Sequence, residues 1–294
     1  MLNYTEGKNK GENRLSKKVA AIILNYNSSR DCEKCLEYLR EQDYDDLSII
    51  VVDNNSTVET ERTQLLHICN HGEKLIFNDK NRGFSAGNNV GIELAEDIGA
   101  DWILIINPDV EIRDTNYISF VMNQLSMWPE AVVVGTNIEL PNGKRQNPMR
   151  ELNIWEEILW PLEMIKQKIG CWDGYLDKPV TGYCEKLSGC CFFISVDFLK
   201  KNNNLDENVF MYCEEAILAS AVKKRGYKEL YINEALAKHE HYKNNKEGNS
   251  KSRMLPFFKS RQYYIEKYSD YSKIGKMVAI FSRKMQCLMW KHII

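Results

Sequence analysis

The chain has 294 residues, 44% of them hydrophobic and 27% charged, with a net charge of −2. That balance fits one large domain, or one domain with an appendage, around a sizeable core. It excludes bulk nucleic-acid binding, which needs a strong basic field, so no nucleic-acid partner is expected. The nine cysteines form no secreted-domain pattern. Cys32 and Cys35 have CxxC spacing without a second pair close by, and they read as small buried hydrophobes rather than zinc ligands. An odd cysteine count without a signal peptide points to a reducing, cytoplasmic setting. No apolar run approaches the ~20 residues that span a bilayer.

Residues 1–16 are polar and rich in Asn, Lys and Gly, and a disordered tail is expected there. Val19 to Leu24 is a first apolar strand, ending in Asn25-Tyr26-Asn27. Ser29 to Arg40 follows as a helix with Leu36 and Leu39 on one face. A second strand, Leu47 to Val52, ends in Asp53-Asn54-Asn55-Ser56, and a helical stretch covers Val58 to Ile68. Lys74 to Phe77 is a short strand and Ala86 to Asp97 a helix. The apolar run Trp102 to Ile106 then empties into Asn107-Pro108-Asp109-Val110. Tyr117 to Met127 is helical and Ala131 to Val134 is a strand. This alternation predicts right-handed βαβ units in a mostly parallel sheet.

After Gly135 the pattern breaks. Pro141-Asn142-Gly143 is a turn, and residues 144–182, with Trp155, Trp160 and Trp172, read as a loop-and-helix insertion near the site or a packed surface excursion. Leu187 to Val196 resumes as a strand, Glu214 to Arg225 is a helix ended by Gly226, and Tyr227 to Ile232 is a strand followed by a turn. From about Ser252 the chain is helical and basic. Lys273 to Ile294 places Met277, Ile280, Phe281, Met285, Leu288 and Met289 among Lys276, Arg283, Lys284 and Lys291. Such a helix either lies on an anionic membrane surface or packs on the core, and the second reading is preferred.

In open α/β sheets, ligands bind outside the carboxyl ends of the strands, so the polar tips of these strands suggest one crevice. Asp109 belongs either to a plain Asx or proline turn or to a site where a carboxylate holds a divalent metal on a phosphate. Asn81-Arg82-Gly83-Phe84-Ser85-Ala86-Gly87-Asn88-Asn89 opens a helix. Its glycines permit close backbone approach, the helix N-terminus attracts phosphate, and Arg82 adds charge. It has neither GxGxxG nor Walker spacing, which weighs against a dinucleotide oxidoreductase or a P-loop enzyme. Glu214 and Glu215 are either two acids favouring a helix start or a base and its neighbour, each raising the other's pKa if buried. His239 reads as part of a polar loop.

Taken in order, Asn25-Tyr26-Asn27, Val52 to Ser56, Asn81 to Gly91 and Asn107 to Val110 resemble glycosyltransferase family 2. The likeness is to its rhamnosyltransferase-like branch, which builds bacterial surface polysaccharides, and it runs from about Lys18 to Tyr268. It implies a GT-A fold: an α/β, Rossmann-like nucleotide-sugar-binding sheet with helices on both faces, here with a C-terminal helical extension. The implied domain covers 17–250, with a donor-binding half at 17–135 and an acceptor and catalytic half at 136–250, before the extension at 251–294. The implied reaction is inverting transfer from a nucleoside-diphosphate-sugar donor, dTDP-rhamnose or a UDP-sugar, to a hydroxyl of a glycan or lipid-linked acceptor. On this resemblance Asn25, Asn27, Asp53, Asn55, Asn81, Arg82, Gly83, Asn88, Asn107 and Asp109 serve the donor. Asp109 and His239, with His241 in reserve, serve Mn²⁺ or Mg²⁺. Glu215 is the base, with Glu214 beside it, in the stretch Phe210-Met211-Tyr212-Cys213-Glu214-Glu215. A cytoplasmic protein is expected; contact with the inner face of the cell membrane would come through the basic C-terminal helix, the less preferred of its two readings.

The chain departs from the family at Glu215, Ile217 and Ala221, where an Asp, an acid and an Arg are usual. Tyr242 to Lys246 replaces a Gly-rich tail, and Lys243, Lys246 and Lys251 either hold diphosphate or are solvated. These departures keep open a catalytically silent member that binds nucleotide sugar and supports a partner enzyme. A nucleotidyltransferase ranks low, because no Gly-rich loop with Arg and Lys follows the first strand.

Overall fold

The computed structural model describes residues 17–169, 179–240 and 250–293. The first half alternates: β1 (Val19–Asn25), α1 (Ser29–Arg40), β2 (Leu47–Asp53), α2 (Glu61–Ile68), β3 (Lys74–Phe77), α3 (Phe84–Asp97) and β4 (Trp102–Ile106). Then come β5 (Val110–Glu111), α4 (Tyr117–Gln124), β6 (Ala131–Glu139) and the short helices α5 (Ile154–Ile158) and α6 (Trp160–Lys168). The rest is β7 (Gly182–Cys184), β8 (Cys191–Ser195), α7 (Val196–Asn202), α8 (Glu214–Lys224), β9 (Lys228–His239), α9 (Ser250–Lys267) and α10 (Lys273–Ile293).

One sheet runs β3-β2-β1-β4-β8-β6-β9-β5, with β7 also pairing β9. The segment β3-β2-β1-β4 is parallel. β8 is antiparallel to both β4 and β6, β6 is parallel to β9, and β5 and β7 are antiparallel to β9. The sheet is therefore mixed, where alternation alone predicted a mostly parallel one. Between β6 and β8 lies a long excursion instead of a single crossover helix, so the right-handed crossover rule does not fix the direction of β8.

The apolar runs exist because both faces of the sheet are covered. Val19, Ala21 and Ile23 face one core cluster with α1, α2 and α4, while Ala20 and Ile22 face another with α3, α7 and α8. A strand buried on both sides reads as a continuous hydrophobic run, and each large side chain so buried contributes about 1.5–3 kcal/mol. On α1, Cys32, Cys35, Leu36 and Leu39 point inward at helical spacing, so the CxxC pair is core.

β6 runs on to Glu139, α3 starts at Phe84 and α4 ends at Gln124, and three further boundaries differ from the sequence reading for a local reason. α2 starts at Glu61 and not Val58, because the Asn27 side-chain oxygen accepts from the N–H groups of Thr57 and Val58 and holds them in a loop. The strand expected from Leu187 is only β8, since Ser188 N–H is drawn to the Asn147 side chain and a helix starts at Val196. β9 runs on past Ile232 to His239. The turn signal at Asn233 is absorbed as a register shift, with Ile232 opposite Thr136 and Leu236 opposite Asn137. The 1–16 tail, Trp172, His241 and Tyr242 to Lys246 lie outside the described residues, as does the side chain of Lys251.

Candidate active site

β1, β2 and β4 end side by side, at the point where the strand order turns back on either side of β1. Asn25 is fully buried. Its Nδ2 donates to Asp53 Oδ1 at 2.9 Å, to Ser56 Oγ at 3.2 Å and to Glu61 Oε2 at 3.2 Å. Asp53 also accepts from the Ser56 backbone N–H at 3.1 Å. The carboxylate is thus clamped at the strand end, with the 53–58 loop folded over it. Asn27, in left-handed backbone, uses its side chain on Thr57 and Val58. Asn55, also left-handed, is exposed on the same loop. Asn25 and Asn27 shape the loop, Asp53 is bonded into it, and Asn55 is exposed on it.

The Gly83 loop is built differently from the sequence reading. Gly83 has φ +96°, and a Cβ there would sit 2.0 Å from the Phe210 carbonyl oxygen. The Phe84 N–H donates to that oxygen at 3.0 Å. The close approach that glycine permits is therefore to the chain leading into α8, and one of the free N–H groups at the start of α3 is already satisfied. Asn81 Oδ1 accepts from Gly83 N–H at 2.9 Å and from Asn54 Nδ2 at 3.0 Å. Arg82 reaches Glu207 at 3.4 Å on the surface. Asn88 is fully buried; its Nδ2 donates to the Phe84 carbonyl, and its Oδ1 has no hydrogen-bond partner among the described residues.

Beyond β4, the Asn107 N–H donates to the Cys190 carbonyl and its own carbonyl accepts from Val110 N–H, which fixes the turn carrying Asp109. The short pairing of β5 with the end of β9 sets Val110 opposite His239. His239 Nε2 thereby lies 3.2 Å from Asp109 Oδ1. Nδ1 of the same ring is 2.8 Å from Gln146 Oε1, and Gln146 Nε2 donates to Ser188 Oγ at 3.0 Å. Which ring nitrogen donates depends on the tautomer. A carboxylate oxygen beside an imidazole nitrogen is a donor pair that suits Mn²⁺, and Mg²⁺ through the carboxylate, when phosphate oxygens and water complete the shell. Among the described residues no cluster of three or more such ligands occurs.

Glu214 and Glu215 open α8 after two successive non-glycine residues in left-handed backbone, Tyr212 and Cys213. Strain of that kind concentrates at functional sites. Glu215 Oε1 accepts from the Gly189 N–H at 3.3 Å. Glu214 Oε1 is buried with no hydrogen-bond partner among the described residues. Burial, together with the neighbouring charge of Glu215, pushes its pKa up to about 8. A cavity of about 30 Å³ adjoins Glu214, Glu215, Glu229, Ser188 and Tyr268, room for roughly two waters and too small for a sugar. On its other side Glu215 lines an open pocket of about 820 Å³ with Lys186, Tyr212, Phe257, Arg261 and Trp290. The turn Ser188-Gly189-Cys190 joins the two sets of groups: Gly189 touches Glu215, and Cys190 bonds the Asp109 turn.

Sequence reading missed four supporting residues. Gln146 orients His239, but only the fold-back of 140–146 brings it there. Glu61, nearly fully buried, accepts from Ser29 and Asn25 beneath the Asp53 loop. Ser56 closes that loop. Glu229 is a buried acid at the cavity whose pKa burial pushes well above the carboxylate range. Its only signal in the sequence was an acid at the start of an apolar strand.

The sequence profile described as glycosyl transferase family 2 matches residues 20–179, more than half of the chain. The chain belongs to that family. Its similarity to the low-salt glycan biosynthesis hexosyltransferase Agl10 of Haloferax volcanii is 26% identity over 204 residues, covering 67% of this chain and 59% of the relative. To the O-antigen chain rhamnosyltransferase RfbN of Salmonella typhimurium it is 25% over 234 residues, covering 76% and 67%. Among solved structures, the mannosyltransferase PcManGT of Pyrobaculum calidifontis, in complex with GDP-Man and Mn²⁺, superposes with a TM-score of 0.60. Its identity is 14%, covering 91% of this chain and 73% of that one. TarS of Staphylococcus aureus in complex with UDP gives a TM-score of 0.55 at 14% identity, covering 90% and 69%. The family 2 chain thus has the GT-A fold.

Proposed function

We propose that this chain is an inverting, metal-dependent glycosyltransferase. It moves a sugar from a nucleoside diphosphate, with dTDP-rhamnose or a UDP-sugar as the donor class, to a hydroxyl of a glycan or lipid-linked acceptor in surface polysaccharide synthesis. The observation that carries the reading is the Asp109–His239 pair, 3.2 Å apart, joined through the Ser188-Gly189-Cys190 turn to Glu215. The relatives named for hexosyl and rhamnosyl transfer, and the neighbours with GDP-Man and UDP, support a nucleotide-sugar donor without choosing the nucleotide.

Asp53, held by Asn25 and Ser56, faces the nucleoside end of the donor. Asp109 and His239 would hold Mn²⁺ or Mg²⁺. When bound, the metal neutralises the charge that develops on the leaving nucleoside diphosphate. Glu215 takes the proton from the acceptor hydroxyl as that oxygen attacks the anomeric carbon, a role that typically contributes 10²–10⁴-fold in rate. The Gly189 N–H fixes the orientation of its carboxylate. Glu214, neutral below a pH of about 8, adds no second charge beside it. Contact with a membrane through α10 completes the reading.

A second reading, a silent nucleotide-sugar binder, draws on Ile217 and Ala221. Both are buried in apolar surroundings, so α8 offers no further polar group at those positions. Thermal shifts against UDP-, dTDP- and GDP-sugars with Mn²⁺ separate the readings. A manganese-dependent rise with one nucleotide class, lost in Asp109→Ala, is expected, because a ligand that binds only the folded chain stabilises it. Donor binding without turnover on any acceptor favours the silent binder. No shift with any donor removes both.

A further inference from the structure

We propose that α10, together with α5 and α6, forms a docking face for an anionic lipid surface. The helix is mounted in reverse. Its inward face is Gly275, Ala279, Arg283 and Gln286, all buried. Its outward face is Ile274, Met277, Phe281, Met285, Leu288 and Met289, 43–75% exposed. Those spacings lie on one stripe of a helix. A helix packing on a core turns such a stripe inward.

The bonds that seat the helix are polar. Arg283 Nε donates to Glu157 Oε2 at 2.6 Å, and Ser282 Oγ donates to the Ile158 carbonyl at 2.7 Å. Glu157 is fully buried and also receives Arg261, at 2.6 Å through Nε. A Cβ on Gly275 would come 2.5 Å from Ile154, so α5 and α10 lie against one another. The α5–α6 segment has the same inversion. Glu156 and Glu157 point in, while Trp155, Leu159, Leu162 and Ile165 are exposed. Large exposed apolar patches mark interaction sites.

Charge selects the occupant. From Lys273 to Ile294 the sequence has no Asp or Glu, and Lys273 and Lys284 are exposed beside the stripe. A second copy related by a two-fold axis would bring these cations against themselves. Anionic headgroups complement them, and a basic helix with a large apolar face lies in such an interface. Among the described residues no helix is long and apolar enough to cross a membrane, so the contact is along the surface. The purpose of the face rests on the transferase reading. The 820 Å³ pocket beside Glu215 is lined by Trp160, Met164 and Trp290 of these same helices, a path for an acceptor carried in lipid.

Flotation of the full chain on phosphatidylcholine vesicles, with and without phosphatidylglycerol, tests this. Wild type is expected to float with the anionic vesicles and on the order of a hundredfold less with neutral ones. The pair Met277→Glu and Phe281→Glu should abolish flotation. Lys273→Ser with Lys284→Ser should weaken it roughly twentyfold at low salt. Leu66→Glu, an exposed change on α2, should float as wild type. No flotation of wild type on either vesicle overturns the proposal, as does equal flotation of all variants. A concentration-dependent dimer that Phe281→Glu abolishes overturns it in favour of a second copy. Donor thermal shifts on the same preparations keep the two readings apart. Flotation without donor binding leaves the face and removes the transferase; donor binding without flotation does the reverse.

Discussion

α1 and α10 have the same kind of hydrophobic pattern, and the protein uses them in opposite senses. α1 turns Cys32, Leu36 and Leu39 onto the sheet and its charges to solvent. α10 turns Arg283 and Gln286 inward and its methionines and Phe281 outward. The pattern defines a face; the partner of that face depends on what remains uncovered. Both faces of the sheet are already packed by α1–α4, α7 and α8, so α10 meets α5 and α9 instead, and it is seated by the buried group Glu157, Arg261 and Arg283.

The largest test of this contrast is what each region loses when its centre is removed. Glu157→Ala leaves two buried guanidinium groups without their shared carboxylate. It should destabilise the chain by about 3–5 kcal/mol, read from denaturant midpoints. Leu36→Ala, a cavity under the sheet, should cost about 2–5 kcal/mol. If Glu157→Ala is near neutral while Leu36→Ala is not, the C-terminal region is not held by its ion group.

Glu214 gives a pH-dependent version. Its folded pKa is raised to about 8, above the unfolded value, so its contribution is intact below about pH 4.5 and is lost as pH rises through about 8. Glu214→Gln should therefore be more stable than wild type above pH 8, by on the order of 5 kcal/mol at most, and show little gain at pH 5. An equal effect at both pH values would mean the burial of this carboxyl is not what raises its pKa. The smallest effect is expected at the outward stripe. Phe281→Ser should shift stability by no more than about 0.5 kcal/mol, whereas a buried phenylalanine such as Phe193 replaced by Ala should cost about 3–5 kcal/mol. A large loss for Phe281→Ser would show that the stripe packs inward.

The candidate site was legible where chemistry sits next to a strand end. Asp53 and Asp109 each follow an apolar run, and the short-range pattern was enough to find them. Their supports were not legible. Gln146 reaches His239 across 93 residues, Glu61 reaches Asn25 across 36, and Gly189 meets Glu215 across 26. No local period encodes such meetings. The Gly83 loop was found as a motif, yet its partner, the Phe210 carbonyl, comes from the opposite half of the chain.

By itself the sequence determined the βα alternation, the buried CxxC helix, the acid-tipped strands and the existence of an amphipathic helix from Lys273. These follow from period and local bonding, which depend on neighbours in the chain. Only the tertiary structure decided that β8 enters the sheet antiparallel, that Asp109 and His239 stand 3.2 Å apart, and that α10 faces outward. Each depends on which surfaces the parallel core leaves unpaired, and that has no signature in a single stretch of sequence.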